Sequence, residues 1–80
     1  MEVKVYSSPQ CPWCETTKNF LRAHNIPFQD IDATANDKIA DEVIRKSGQM
    51  EVPVTEIEGK IVVGFNKSLL EKYLGLTEND

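Results

Sequence analysis

Cys11 and Cys14 are the only two cysteines of the chain, and Pro12-Trp13 separates them. Thiols at this spacing can close a disulfide with each other, and each can attack a disulfide elsewhere. The nucleophile must be a thiolate, because an ordinary cysteine, with a pKa of about 8.5, is mostly protonated at neutral pH. A helix N-terminus supplies unpaired N–H groups and a partial positive charge, both of which favour the thiolate. Before the pair runs an apolar, β-rich segment, Glu2-Val3-Lys4-Val5-Tyr6, and after it a helical pattern. Cys11 then stands at or just before the first helical residue, and Cys14 lies about a turn deeper, where its sulfur is more easily shielded. The expected chemistry is thiol–disulfide exchange. Cys11 attacks a substrate disulfide, Cys14 resolves the mixed disulfide, and the resulting Cys11–Cys14 bond waits for an electron donor. Pro12 suits the first helical turn, where no N–H is needed. Trp13 is expected to project from the helix tip as an apolar contact beside the reactive sulfur.

A CxxC pair is also half of a zinc or iron–sulfur site, and a closed tetrahedral site needs four ligands. The remaining candidate is His24, about two and a half helical turns beyond Cys14. One chain cannot complete that site, although a dimer or an outside thiol could. Exchange without a bound cofactor is therefore the leading expectation, with a metal or iron–sulfur carrier as the alternative from another class.

The elements that must position the cysteines follow from periodicity. Val3 and Val5 alternate as in a strand, and Ser7 to Gln10 form a turn. A helix carries Thr17, Phe20, Leu21 and His24 on one stripe and ends at Asn25, ahead of Pro27. Phe28 to Ile31 reads as a short strand parallel to the first, since a strand–helix–strand crossover joins them. A second helix shows Ile39, Ala40, Val43 and Ile44 on one face and stops at Gly48. Val52 to Ile57 is a strand entered through a proline, and Glu58-Gly59-Lys60 turns it into Ile61-Val62-Val63, a hairpin. A last helix has Ser68 and Glu71 at capping-box spacing and Leu69, Leu70, Tyr73 and Leu74 as its buried stripe, with Gly75 at its end. Thr77 to Asp80 reads as a frayed tail. The order is β-α-β-α-β-β-α: an α/β fold with a four-stranded mixed sheet and three helices, one domain over residues 1–80.

Thirteen acidic against nine basic side chains leave a formal charge of −4. With no Lys/Arg cluster, a nucleic-acid partner is not expected. No apolar run approaches the ~18 residues of a membrane span, and the N-terminus lacks a signal-like stretch. The expected compartment is the cytoplasm, where paired cysteines are more often catalytic or metal-binding than structural. A monomer is expected.

Three segments carry a resemblance to the glutaredoxin-like branch of the thioredoxin superfamily. They are Tyr6-Ser7-Ser8-Pro9-Gln10-Cys11-Pro12-Trp13-Cys14, then Gly48-Gln49-Met50-Glu51-Val52-Pro53-Val54, then Gly59-Lys60-Ile61-Val62-Val63-Gly64-Phe65. The resemblance runs from Val3 to Leu76. It implies the minimal thioredoxin fold and a cis Val52-Pro53 peptide facing the cysteines. That geometry leaves the Val52 backbone free to pair with an extended substrate. Gly64 and Phe65 join Pro12, Trp13, Val52 and Pro53 as the implied substrate-binding residues.

The chain departs from glutathione-using glutaredoxins in ways that bear on the electron donor. Ser8 stands where they carry a lysine three residues before the first cysteine. Glu51 replaces a threonine, and the acidic pair before the last helix is absent from Val63-Gly64-Phe65-Asn66-Lys67. Gln49 matches a glutamine of glutathione sites and points the other way. Gly64-Phe65 looks more like the NrdH-redoxin group, which accepts electrons from a thioredoxin-reductase-type flavoenzyme and serves ribonucleotide reductase. The expected partners are a disulfide-containing protein, with ribonucleotide reductase or a peroxidase as possibilities, and a flavoenzyme or glutathione as donor.

Other polar residues read as structural. Lys18, a turn past Cys14, is expected as a solvated surface lysine, and Glu15 and Glu51 as rim charges. Tyr6 is expected to pack rather than transfer protons, and His24 to interact with terminal helix carbonyls. Asp30, Asp32, Asp37, Asp41 and Glu42 read as a solvated acidic face. Phe65 suits groove lining and core packing about equally.

Overall fold

Alternation along the first strand sorts its side chains to two faces, and each face builds its own core. In the computed structural model, which describes residues 1–76, Val3 and Val5 pack with Leu21, Ile57, Val62, Leu70 and Leu74 on one side of the sheet. Tyr6 packs with Ala33, Val43 and Val54 on the other. The elements are β1 (Val3–Ser7), α1 (Pro12–Ala23), β2 (Gln29–Asp32), α2 (Asp37–Ser47), β3 (Val54–Ile57), β4 (Lys60–Val63) and α3 (Lys67–Leu74). The sheet order is β2-β1-β3-β4. β1 and β2 are parallel, with Lys4 opposite Gln29 and Ser7 opposite Asp32. β3 is antiparallel to both β1 and β4. Leu21 of α1 and Leu70 and Leu74 of α3 cover one face, and Val43 of α2 covers the other. This is the α/β arrangement of a four-stranded mixed sheet and three helices expected from the element order, and the minimal thioredoxin fold that the resemblance implies. The expected tail, Thr77 to Asp80, lies outside the described residues.

Local chemistry sets the boundaries. Glu58 (φ 50°) and Gly59 (φ 85°) both take left-handed backbone, which makes the two-residue type I′ turn whose twist matches a hairpin. Gly48 closes α2 at φ 84°, and its N–H donates to the Ile44 carbonyl. β3 starts at Val54 rather than Val52, because Pro53 has no N–H for a ladder. At α3 the cap is Asn66 and not Ser68. The Asn66 side chain accepts the Leu69 amide at 3.1 Å, so the helix begins two residues earlier than the capping-box spacing suggests. Ile44 also departs from its expected place: it is 43% exposed, and Val43 carries the burial.

Tyr6 is 1% exposed, and its hydroxyl accepts a hydrogen bond from Lys46 Nζ at 2.9 Å. The same ammonium reaches Glu56 at 2.6 Å and Glu42 at 2.9 Å. Burial alone would lower the Lys46 pKa, but hydrogen bonds to Glu56, Tyr6 and Glu42 outweigh it and hold it above the ordinary lysine range. The cluster ties the last turn of α2 to the sheet, so Tyr6 is structural, as its position at the end of β1 suggests.

Candidate active site

The three residues after β1, Ser8 to Gln10, deliver Cys11 to the N-terminus of α1. Cys11 is the N-cap, with extended backbone (φ −141°, ψ 99°). Its sulfur accepts the Cys14 N–H at 3.1 Å, the role that a serine or aspartate oxygen usually fills. Its carbonyl accepts from the Cys14 and Glu15 amides at 3.1 and 3.2 Å. Pro12 is the first residue of α1, where its missing N–H removes nothing from the helix. The structure is of the oxidised form: Cys11 and Cys14 are joined as a disulfide with a Cα–Cα distance of 5.2 Å. Cys14 is fully buried, whereas Cys11 is partly open to solvent.

Val52, two residues before β3, comes to the sulfur from a distant part of the chain. The Val52–Pro53 peptide is cis, and Val52 O lies 3.9 Å from Cys11 Sγ. A disulfide sulfur carries no proton, so this is a contact and not a hydrogen bond. The Val52 N–H and C=O stand outside the sheet ladder, whose last β1–β3 pair is Tyr6 with Val54. Gly64 donates its N–H to the Pro53 carbonyl at 2.8 Å, which fixes the end of β4 against the proline.

Trp13 is 61% exposed at the helix tip. Its ring stacks on Phe65 at 6.2 Å between centroids and 15° between planes. Phe65 meets the edge of Phe20 at 5.9 Å, and Phe20 touches the His24 ring at 4.6 Å. Of the two roles the sequence left open for Phe65, the structure shows core packing, and the same ring supports Trp13. His24 is the C-cap of α1, at the opposite end of that helix from the cysteines. Among the described residues, no three His, Cys, Asp or Glu side chains converge as a metal-binding group.

Lys18 corrects the sequence reading. It is 7% exposed, and its ammonium pairs with Asp30 at 3.0 Å and Glu15 at 3.1 Å. Ser7 donates to the other Asp30 oxygen at 2.8 Å. The hydrogen bond to Asp30 raises the Lys18 pKa against the opposing effect of burial. Burial alone would raise the Asp30 carboxyl, but hydrogen bonds from Lys18 and Ser7 hold it below its ordinary value. A cavity of about 210 Å³ opens beside this group and is also lined by Ser8 and Pro9 of the loop leading to Cys11. The signal was present in the spacing, since Cys14, Thr17, Lys18 and Leu21 form one buried stripe on α1.

Glu51 precedes Val52 and is exposed. Its carboxylate accepts the Gln49 side-chain amide at 2.7 Å. Gln49 is therefore engaged by a neighbouring anion. Ser8 is a polar, uncharged residue of the loop that leads to Cys11.

Residues 3–62 match the glutaredoxin family model. An uncharacterized glutaredoxin-like 8.6 kDa protein in the rubredoxin operon of Clostridium pasteurianum is 43% identical over 72 residues, covering 90% of this chain and 96% of that one. The N-acetyl-S-hydroxy-L-cysteine reductase of Bacillus subtilis is 39% identical over 57 residues, 71% of this chain and 61% of that protein. The glutaredoxin of Archaeoglobus fulgidus superposes with a TM-score of 0.84 at 29% identity, covering 91% of this chain and 85% of that one. With a Cys11–Cys14 disulfide on this fold, the chain belongs to the glutaredoxin family and is a thiol–disulfide oxidoreductase.

Proposed function

We propose that the protein reduces disulfides by a two-cysteine cycle, with Cys11 as nucleophile and Cys14 as resolver. The carrying observation is the asymmetry of the pair: the Cys11 sulfur caps α1 and Cys11 is partly open to solvent, while Cys14 is fully buried. In the reduced protein a Cys11 thiolate keeps the Cys14 N–H as a charge-assisted partner. It attacks one sulfur of a substrate disulfide and expels the other as a thiolate, which takes up a proton. Cys14 then loses its proton and attacks the Cys11 sulfur, releasing the second substrate thiol and restoring the disulfide. Val52 and Pro53 present backbone to an extended substrate, while Pro12, Trp13, Gly64 and Phe65 line its path. The protein is a carrier that needs no bound cofactor and works as a monomeric single domain in the cytoplasm.

For the electron donor we favour a thioredoxin-reductase-type flavoenzyme over glutathione. Ser8 offers no cation to an anionic tripeptide, and the Glu51 carboxylate stands beside Val52. The Asn66 side chain already occupies the Leu69 amide at the start of α3. Ribonucleotide reductase or a peroxidase is then the protein substrate to test. The experiment is NADPH oxidation by the oxidised protein with either thioredoxin reductase or glutathione plus glutathione reductase. Turnover with the flavoenzyme alone supports the reading, and turnover with glutathione alone overturns it.

The relative from Bacillus subtilis favours a second reading, reduction of a small-molecule sulfenic acid. The same Cys11 thiolate would attack the sulfenic sulfur, release hydroxide, and leave the same mixed disulfide for Cys14.

A further inference from the structure

We infer that Glu51 makes the site selective for disulfides flanked by basic residues. This rests on the exchange reading and concerns which substrates it serves. Glu51 is one residue from Val52, whose carbonyl oxygen is 3.9 Å from the Cys11 sulfur. Adjacent Cα atoms are about 3.8 Å apart, so a substrate cysteine joined to Cys11 lies a few residues' reach from Glu51, a separation that the Debye length of about 30 Å at 0.01 M salt exceeds. The hydrogen bond from Gln49 orients that carboxylate without neutralising it, because an amide carries no charge. Glu15, another exposed carboxylate beside the cysteines, differs in having a cationic partner, since it shares the Lys18 ammonium with Asp30 at 3.1 and 3.0 Å, whereas the Glu51 carboxylate is held by a neutral amide. Glu51 therefore contributes a full negative charge at the substrate edge. It attracts arginine or lysine next to the scissile disulfide and repels acidic neighbours. Lys67, the first residue of α3, is the cation closest in sequence to Gly64 and Phe65, so it serves as the comparison position.

The test uses the full chain carrying Cys14→Ser, so that the reaction stops at the mixed disulfide. Three short peptides each contain one cysteine flanked on both sides by arginine, serine or glutamate, and each cysteine is joined to 2-thiopyridine. Cys11 attack on the peptide sulfur joins it to the peptide and expels 2-thiopyridone, which is followed by absorbance. The arginine peptide should react about fivefold faster than the glutamate peptide at low salt, the size expected of one exposed charge pair. Glu51→Lys should reverse the order, a result that a merely structural role for Glu51 would not produce. An unchanged order in Glu51→Lys, or an order that reverses in Lys67→Glu instead, overturns the assignment. The serine peptide separates the two levels: its failure to release 2-thiopyridone would overturn the exchange reading itself, whatever the charge preference.

Discussion

The Cys11 sulfur accepts the Cys14 amide at 3.1 Å, so each cysteine of the pair helps to define the other's chemistry. Cys11 lies at the positive end of α1 with a donor aimed at its sulfur, and Cys14 lies inside with none of its surface exposed. Both effects favour a charged Cys11 and a protonated Cys14 in the reduced state. Reduced protein treated with iodoacetamide across a pH series should therefore label Cys11 at lower pH than Cys14, as read by mass spectrometry. Coincident profiles would remove the helix-terminus argument.

The same asymmetry orders the two steps. Cys11→Ser should abolish disulfide reduction. Cys14→Ser should leave the first attack intact and accumulate mixed disulfides, seen as slow gel bands that vanish on reduction. Trapping by Cys11→Ser, with none by Cys14→Ser, would reverse the assignment of roles.

The Lys18–Asp30 pair predicts an unequal response to losing either partner. Lys18 has a side chain only 9% exposed, while that of Asp30 is 45% exposed. Asp30→Asn leaves a buried ammonium with Glu15 as its remaining partner and should cost about 1–3 kcal/mol. Lys18→Met leaves a carboxylate that water can solvate and should cost less, about 1 kcal/mol. Urea denaturation distinguishes the two, and equal losses would contradict the burial argument. The pH dependence has a definite sign. Asp30 is depressed from 3.8, so its share of stability is present above that value and is lost as pH falls through the lower folded value. Lys18 is raised from 10.5, so its share is present below that value and is lost as pH rises through the higher folded one. Asp30→Asn should therefore flatten the acid limb of the stability curve.

These residues show what a sequence can disclose. The element order was legible because hydrophobic period changes at each boundary, from two in Val3–Val5 to a helical stripe through Thr17 and Leu21. The cysteine chemistry was legible because Pro12 and the preceding strand locate a helix start. Lys18 was not read correctly, because the rule that lysines stay in water outweighed its place on the buried stripe; its partner Asp30 is supplied by β2, and only the parallel pairing brings them together. Asn66 was passed over as a cap because Ser68 and Glu71 match a recognised spacing, whereas the chain enters α3 two residues sooner. The cis geometry at Pro53 came from resemblance and not from local pattern.

Trp13 is the only tryptophan of the chain, so its fluorescence reports on the helix tip that carries the two cysteines. It rests on Phe65, and such aromatic pairs contribute about 0.5–1.5 kcal/mol beyond burial. Phe65→Ala should shift Trp13 emission to longer wavelength as the ring loses its support. It should also raise KM for protein disulfides by about two- to tenfold with little change in kcat, the pattern of lost uniform binding. An unshifted emission would show that Trp13 holds its position without Phe65.

Thr55 carries a prediction of the opposite sign. It is fully buried at the centre of the sheet, opposite Val5 on β1 and Val62 on β4. Among the described residues its hydroxyl has no hydrogen-bond partner. A buried hydroxyl without a partner keeps its desolvation cost and gains nothing in return. Both of its ladder neighbours are valines, so a methyl group in place of the hydroxyl suits the surroundings in shape and polarity. Thr55→Val should stabilise the protein by about 1 kcal/mol, seen as a higher urea midpoint with an unchanged slope. Because Thr55 is in the core and not at the cysteine site, exchange activity should be retained. A lower midpoint would mean that the hydroxyl has a partner in solution, such as an internal water molecule, and that this water belongs to the core.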